Sequence, residues 1–365
     1  MNNKFKEKKL TNSKISVKPY VYRIPSISSV SIRVLILLSI QIFMLLITKS
    51  YNAFFVVLTA LTGAVIAAVI NCYIKKEPFY NIMNIAIQGV LIGLLLPENY
   101  PLAMVFVISF CTIIVTRIIV FKGINSWINV PALALIIAWY IGTRFFPQFM
   151  LNRDLITMRN SSVYLIQSGQ FPIYSFDTPL TAFLNKNIFS FANVSVPEGF
   201  VSLFWDNHSV IPAFRFNLIT LISSIILFSD NSFSMIIPAC FLTVYTILVR
   251  LFVPYVFGGS FNQGDMILAL LTSGILFSSV FLIQWYGTIP VTVFGKVFLG
   301  IISGIIAFLI IGGGTSPIGI AYTITLSNII CMVVRIFEEK KNELYTARVI
   351  KKYSAKMAAE AGDKK

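Results

Sequence analysis

The residues able to do chemistry are few, and the densest group of them is the segment IYSFDTPLTAF, Ile173 to Phe183. A serine, an aspartate, a threonine and a proline stand together there, in the longest polar interruption of a chain that is otherwise close to pure hydrocarbon. Downstream, His208 is the only histidine. An imidazole can carry protons near neutral pH, but its neighbours Asp206 and Asn207 make this a solvated loop residue in the sequence reading. The four cysteines, Cys72, Cys111, Cys240 and Cys331, lie in separate apolar runs without CxxC or Cys/His spacing. They read as small buried hydrophobes rather than as metal or cluster ligands. No GxGxxG, no cysteine cluster and no second histidine is present, so the sequence offers neither a nucleotide fingerprint nor a complete active site of its own.

The elements that must position these residues are membrane helices. With 57% hydrophobic and 12% charged residues and a mean hydropathy of +0.82, the chain lacks the polar surface to cover a water-soluble protein of this length. The net charge of +15 does not point to nucleic acid, because no basic helix is interleaved with exposed aromatics. It gathers instead in two tails, where Lys4, Lys6, Lys8, Lys9, Lys14, Lys18 and Arg23 face only Glu7, and in the basic stretch from Arg335 to Lys365. Such tails mark the cytoplasmic side of a bacterial inner membrane.

A bilayer core of about 30 Å needs about 20 apolar residues per helix. Ten runs approach that length: 31–48, 52–74, 82–97, 101–121, 130–147, 214–229, 233–256, 265–284, 293–311 and 317–336. An even count puts both tails on one side, with Lys75, Lys76, Lys122 and Lys296, and leaves the loop 148–213 outside. The expected fold is therefore all-α, with about ten transmembrane helices. Its divisions are a basic tail (1–30), a first five-helix repeat (31–147), the outer loop (148–213), a second five-helix repeat (214–336) and a second basic tail (337–365). An odd number of spans in each half makes the halves inverted. QGVLIGLLLPENYP (Gln88 to Pro101) is echoed by SGILFSSVFLIQWYGTIP (Ser273 to Pro290), and INSWINVPALALI by GGGTSPIGIAYTI. In inverted repeats, glycine and proline let helices break near the midplane.

The run from Gly264 to Ile330, with Ser273-Gly274, Thr288-x-Pro290-Val291-Thr292, Gly295-Lys296 and Gly313 to Asn328 in order, resembles the second half of the RnfD/NqrB family. GVLIGLLLPENYPL and FKGINSWINVPAL resemble motifs of its first half. The resemblance implies a flavin-carrying electron-transfer subunit of an Rnf-type ion-translocating ferredoxin:NAD oxidoreductase, related to the sodium-pumping NADH:quinone oxidoreductase. Its partners would be other membrane subunits, iron–sulfur subunits and a flavin transferase. It also implies FMN joined by a phosphoester to a threonine in an SGATPL segment. SFDTPLT aligns there, which makes Thr178 the candidate attachment residue, and a second, non-covalent flavin is a further expectation. Pro179 is expected to hold the following backbone extended and away from helix. Arg144, Arg215 and Arg250, placed toward the outer face by the topology, are candidate contacts for the FMN phosphate.

The chain departs from the family pattern where Phe176-Asp177 replaces Gly-Ala and where SVIPAFRFN (Ser209 to Asn217) replaces a glycine-rich stretch containing a glutamate. Two other readings stay open at this point: a structural paralogue without flavin, and a secondary transporter or channel on the same scaffold. The second lacks its usual mark, ionisable residues deep in the spans. Trp127, Trp139, Trp205 and Trp285 mostly sit near span ends and read as members of an interfacial belt.

Overall fold

A computed structural model describes residues 26–75, 81–116, 128–147, 153–158, 160–229, 233–284, 289–314 and 316–362. The N-terminal basic tail, Lys76, Lys122, Trp127 and Trp285 lie outside these residues. Among the described residues all regular structure is helical. The first half contains α1 (Ile27–Ile47), α2 (Tyr51–Lys75), α3 (Asn81–Leu95), α4 (Leu102–Ile114) and α5 (Val130–Gly142). A polar cap follows, with α6 (Arg153–Thr157), α7 (Ser161–Gln167), α8 (Asp177–Asn187) and α9 (Phe200–Trp205). The second half holds α10 (Asn217–Ser229), α11 (Ile236–Val256), α12 (Met266–Thr272), α13 (Ile275–Phe281), α14 (Val293–Ile311) and α15 (Gly319–Gly362).

Five of these helices, α1, α2, α11, α14 and α15, are long and apolar enough to cross a membrane. Shorter apolar helices at 82–95, 102–114, 130–145 and 217–229 accompany them. Small residues let the helices approach closely, as packing inside lipid requires. Gly89 and Gly93 of α3 face α2, where a methyl group at Gly93 would meet the Val57 Cα at 2.6 Å. In the second half Gly300 and Gly304 of α14 take the same part against α11, where a methyl at Gly300 would stand 2.7 Å from the Cys240 Cβ. Ser109 joins α4 to α2 by donating to the Ala60 carbonyl at 2.7 Å.

The third apolar run of the second half is broken, and its counterpart is not. α3 runs unbroken through Gly89 and Gly93 to Leu95, whereas α12 stops at Thr272 and α13 restarts at Ile275. Gly274, at φ +70, makes the turn, and any side chain there would run into the Phe214 ring. Breaking a helix in an apolar interior leaves carbonyls to be satisfied. Here the Asn207 and Asn217 amides both donate to the Leu271 carbonyl, at 2.7 and 2.9 Å, and both also donate to Phe214, at 2.8 and 3.2 Å. The halves are stitched at other points too: Asn129 caps α5 through the Ala132 N–H and donates to the Leu282 carbonyl at 2.9 Å. Gln41 of α1 donates to Thr220 of α10 at 3.0 Å.

The basic stretch after residue 336 is helical, since α15 runs for 44 residues to Gly362, about 66 Å at 1.5 Å per residue. It stays helical because Glu, Lys, Ala and Arg replace the apolar residues without any glycine or proline before Gly362. One expectation needs correction. The cysteines are free but not uniformly buried: Cys72 and Cys331 are buried, Cys240 is partly so and Cys111 is exposed on α4. An apolar environment is supplied at such a position by lipid rather than by protein.

Candidate functional site at the polar cap

Thr178 sits in the first turn of α8, exposed, and its Oγ1 donates to the Glu198 carboxylate at 3.3 Å. Pro179 does not hold this segment extended; it lies in the first turn of the helix. A proline is tolerated there because the N–H it lacks would have had no helical partner.

Asp177 turns the segment into a rigid mount. Its side chain is fully buried and accepts from the Gly199 N–H at 2.8 Å, the Ser202 N–H at 2.6 Å, the Ser202 hydroxyl at 2.7 Å and the Thr181 hydroxyl at 2.9 Å. Burial works to raise the pKa of this carboxyl, but the hydrogen bonds from Gly199, Ser202 and Thr181 outweigh it and hold the carboxyl below its ordinary value. The loop that returns from α8 is pinned by Asn185, whose amide pairs with both the N–H and the carbonyl of Val196 at 2.9 Å. Gly199 closes it at φ +96, against Ile166.

An aromatic face lies beside this mount. Tyr174 stacks on Phe176, with centroids 5.4 Å apart and planes 13° off parallel, and lies near-parallel to His208 at 6.1 Å. Trp205 supports Phe176 edge-on at 5.8 Å. Trp139 instead packs edge-on against Phe146. The Tyr174 hydroxyl meets the His208 Nε2 at 3.1 Å. Burial raises the pKa of that phenol and the nearby Asp206 charge adds to the effect, while Arg215 opposes it.

His208 is exposed, as a loop residue should be, but its neighbours are not. Asp206 and Asn207 are buried, because Asn207 caps the broken helix and Asp206 holds Arg215. Arg215 is 5% exposed. Its Nε and Nη2 reach the two Asp206 oxygens at 2.9 and 2.6 Å, and its Nη1 donates to Ser50 at 2.6 Å. The guanidinium also lies 5.2 Å from the Phe216 ring centre. All three nitrogens are therefore engaged inside the protein. Arg250 donates to Asn262 at 3.2 Å and to the Gly264 carbonyl at 3.1 Å, closing the loop after α11. Arg144 is exposed, 4.7 Å over the Phe145 ring. Among the described residues no hydrogen bond joins any of the three to Thr178.

Sequence reasoning singled out Arg215 but missed its pairing with Asp206, and it missed Asp177 and Glu198 as site residues. Only the Asp177–Thr181 spacing, four apart on a helix, carried a local signal. Among the described residues no group of three or more His, Cys, Asp and Glu could hold a metal ion.

Long apolar helices, a broken helix and a folded polar cap plugged into the break define an all-helical, multi-pass membrane protein. The chain belongs to the NQR2, RnfD, RnfE family, whose model matches residues 14–343. This agrees with the family resemblance carried by the glycine, proline and Gly-Lys motifs. No curated protein matches the chain.

Proposed function

We propose that the chain is the membrane subunit of an Rnf/Nqr-type redox complex that carries FMN on Thr178 through a phosphoester. The observation that carries this reading is the presentation of Thr178: an exposed hydroxyl on a helix turn fixed by the buried Asp177, beside a stacked aromatic face. A transferase needs an accessible hydroxyl, and a planar ring system needs a flat apolar surface; both lie within one short segment. The residues fit the group, with Thr178 as the point of attachment and Phe176 and Tyr174 as the ring-side surface. Glu198 must turn away from the hydroxyl when a phosphate occupies it, which its exposed position allows. When bound, the flavin supplies the one- and two-electron chemistry that no side chain offers.

Arg144 and Arg250 remain the direct phosphate candidates, and Arg215 acts on the site through Asp206 and the backbone N–H of His208, which donates to Asp206 at 2.8 Å. In this reading the ten apolar runs are ten spans in two inverted repeats of a bacterial inner-membrane protein. Both termini are cytoplasmic and the cap faces outward. Its partners are further membrane subunits, iron–sulfur subunits and the flavin transferase, and a second, non-covalent flavin belongs between the repeats.

The test is co-expression with a flavin transferase followed by a denaturing gel viewed under ultraviolet light. Wild type gives a fluorescent band at the mass of the chain, and Thr178→Val removes it. A dark wild-type band with no flavin mass would leave the structural paralogue without flavin as the better reading.

A further inference from the structure

At the end of the molecule where α14 begins, α15 runs on past it, and the step between them forms a groove of about 550 Å³. We propose that this groove binds a phospholipid with an anionic headgroup. It is independent of the polar cap and of any flavin.

The position argues for a lipid. α14 has 19 residues, about 28 Å at 1.5 Å per residue, close to the roughly 30 Å of a bilayer's hydrocarbon. Its first turn therefore marks a boundary between acyl chains and headgroups. The floor of the groove is aromatic, from Phe294 and Phe298 of α14 and Phe337 of α15, with Phe294 81% and Phe337 69% exposed. Along the lining face of α15 the chemistry changes from Val334 and Phe337 to Lys341 and Asn342 over about two turns, with Tyr345, an aromatic ring bearing a hydroxyl, a turn beyond. A ligand with an apolar tail and a polar head, crossing the boundary in that direction, matches the gradient.

Charge selects the head. Glu338 is also in the lining, but its carboxylate accepts from the Val291 N–H at 2.8 Å, the Thr292 N–H at 3.1 Å and the Thr292 hydroxyl. It is turned onto the start of α14 and so close to Gly295 that any side chain at that glycine would strike it. Lys341 is then the charged group of the lining left to face a ligand, and an ammonium at a membrane surface favours an anionic headgroup over a zwitterionic one.

The test is native mass spectrometry of the full chain released from micelles doped with equimolar phosphatidylglycerol and phosphatidylcholine. Wild type should retain phosphatidylglycerol preferentially, by about fivefold for one lysine at such a surface. Lys341→Glu should abolish the preference, and Phe337→Ala should reduce retention of both lipids. Lys340→Glu, an equal change of charge on a residue outside the lining, should leave both readouts as they are. Equal retention in wild type and Lys341→Glu would overturn the proposal. So would a dimer of the chain that Phe294→Ala dissociates, because the groove would then be a contact between copies.

Discussion

The two halves treat the same kind of sequence in opposite ways, and the contrast shows what breaks a helix in a membrane. Both third runs contain glycine, two in the first half and one in the second. In α3, Gly89 and Gly93 are helical and are used for close approach to α2. In the second half Gly274 takes a left-handed conformation and the helix stops. Glycine permits both outcomes; what decides is whether the carbonyls freed by a break find donors. In the second half they come from Asn207 at the end of the cap and Asn217 at the start of α10, both on Leu271. The broken helix and the polar cap are thus one structural unit, and the residues around Thr178 are held by the same segment that stabilises the break.

The largest expected effect on this unit comes from Arg215→Ala. It leaves Asp206 buried without its cation, a change that costs about 3–5 kcal/mol. The thermal unfolding midpoint in detergent should fall sharply, and Asp206→Asn added to Arg215→Ala should recover part of the loss. A midpoint unchanged by Arg215→Ala would mean that the cap is not coupled to the membrane helices. Next comes Gly274→Ala, which pairs an unfavourable left-handed alanine with a clash against Phe214; overpacking alone costs about 1–3 kcal/mol. Gly89→Ala, which meets the Ala64 methyl, should cost no more than the overpacking part, since its backbone is helical. Equal losses for the two glycines would remove the distinction between a glycine that breaks a helix and one that packs it.

Asn217→Ala should follow, at about 1–3 kcal/mol for a buried carbonyl deprived of a donor. Asn207 still reaches Leu271, which places the expected value at the lower end of that range. Hydrogen exchange of the 266–281 amides should rise while that of α2 and α3 stays as in wild type. Exchange rising equally in both halves would show that the break has no local support from the cap.

Hydropathy made the spans legible: the runs 31–48, 52–74, 233–256 and 293–311 correspond to α1, α2, α11 and α14 within a few residues. The Ser273-Gly274 punctuation was legible as well, but not its asymmetry, since Gly89 and Gly274 look alike in sequence. The difference lies in Asn207 and Asn217, 64 and 54 residues from the carbonyl they satisfy. The cap was least legible. Thr178 could be singled out by the motif it resembles, while the fold that presents it depends on Asp177 reaching Gly199 and Ser202 and on Arg215 reaching Ser50, contacts with no periodic trace. Pro179 misled because proline forbids a helix interior but not a helix start.

The smallest effect at neutral pH, and the sharpest separation of cap from core, concerns Asp177. Its folded-state carboxyl lies below the ordinary value despite burial, because Gly199, Ser202 and Thr181 donate to it. A carboxyl depressed on folding contributes stability above its unfolded pKa, about 3.9 for aspartate, and loses that contribution as pH falls through the folded value. The mount of Thr178 should therefore be insensitive to pH from 8 to 5 and should loosen only below about 4. Hydrogen exchange of the 177–205 amides across this range should show protection flat, then falling, while the amides of α11 and α14 keep theirs. Asp177→Asn should lower cap protection at every pH, because its NH2 group must oppose the donors at one of the two carboxylate positions, either the Gly199 N–H or the Ser202 N–H. Protection lost between pH 7 and 5 instead would show that the Asp177 carboxylate does not control the cap. Protection unchanged below pH 3 would mean that the four donors do not depend on the charge they surround.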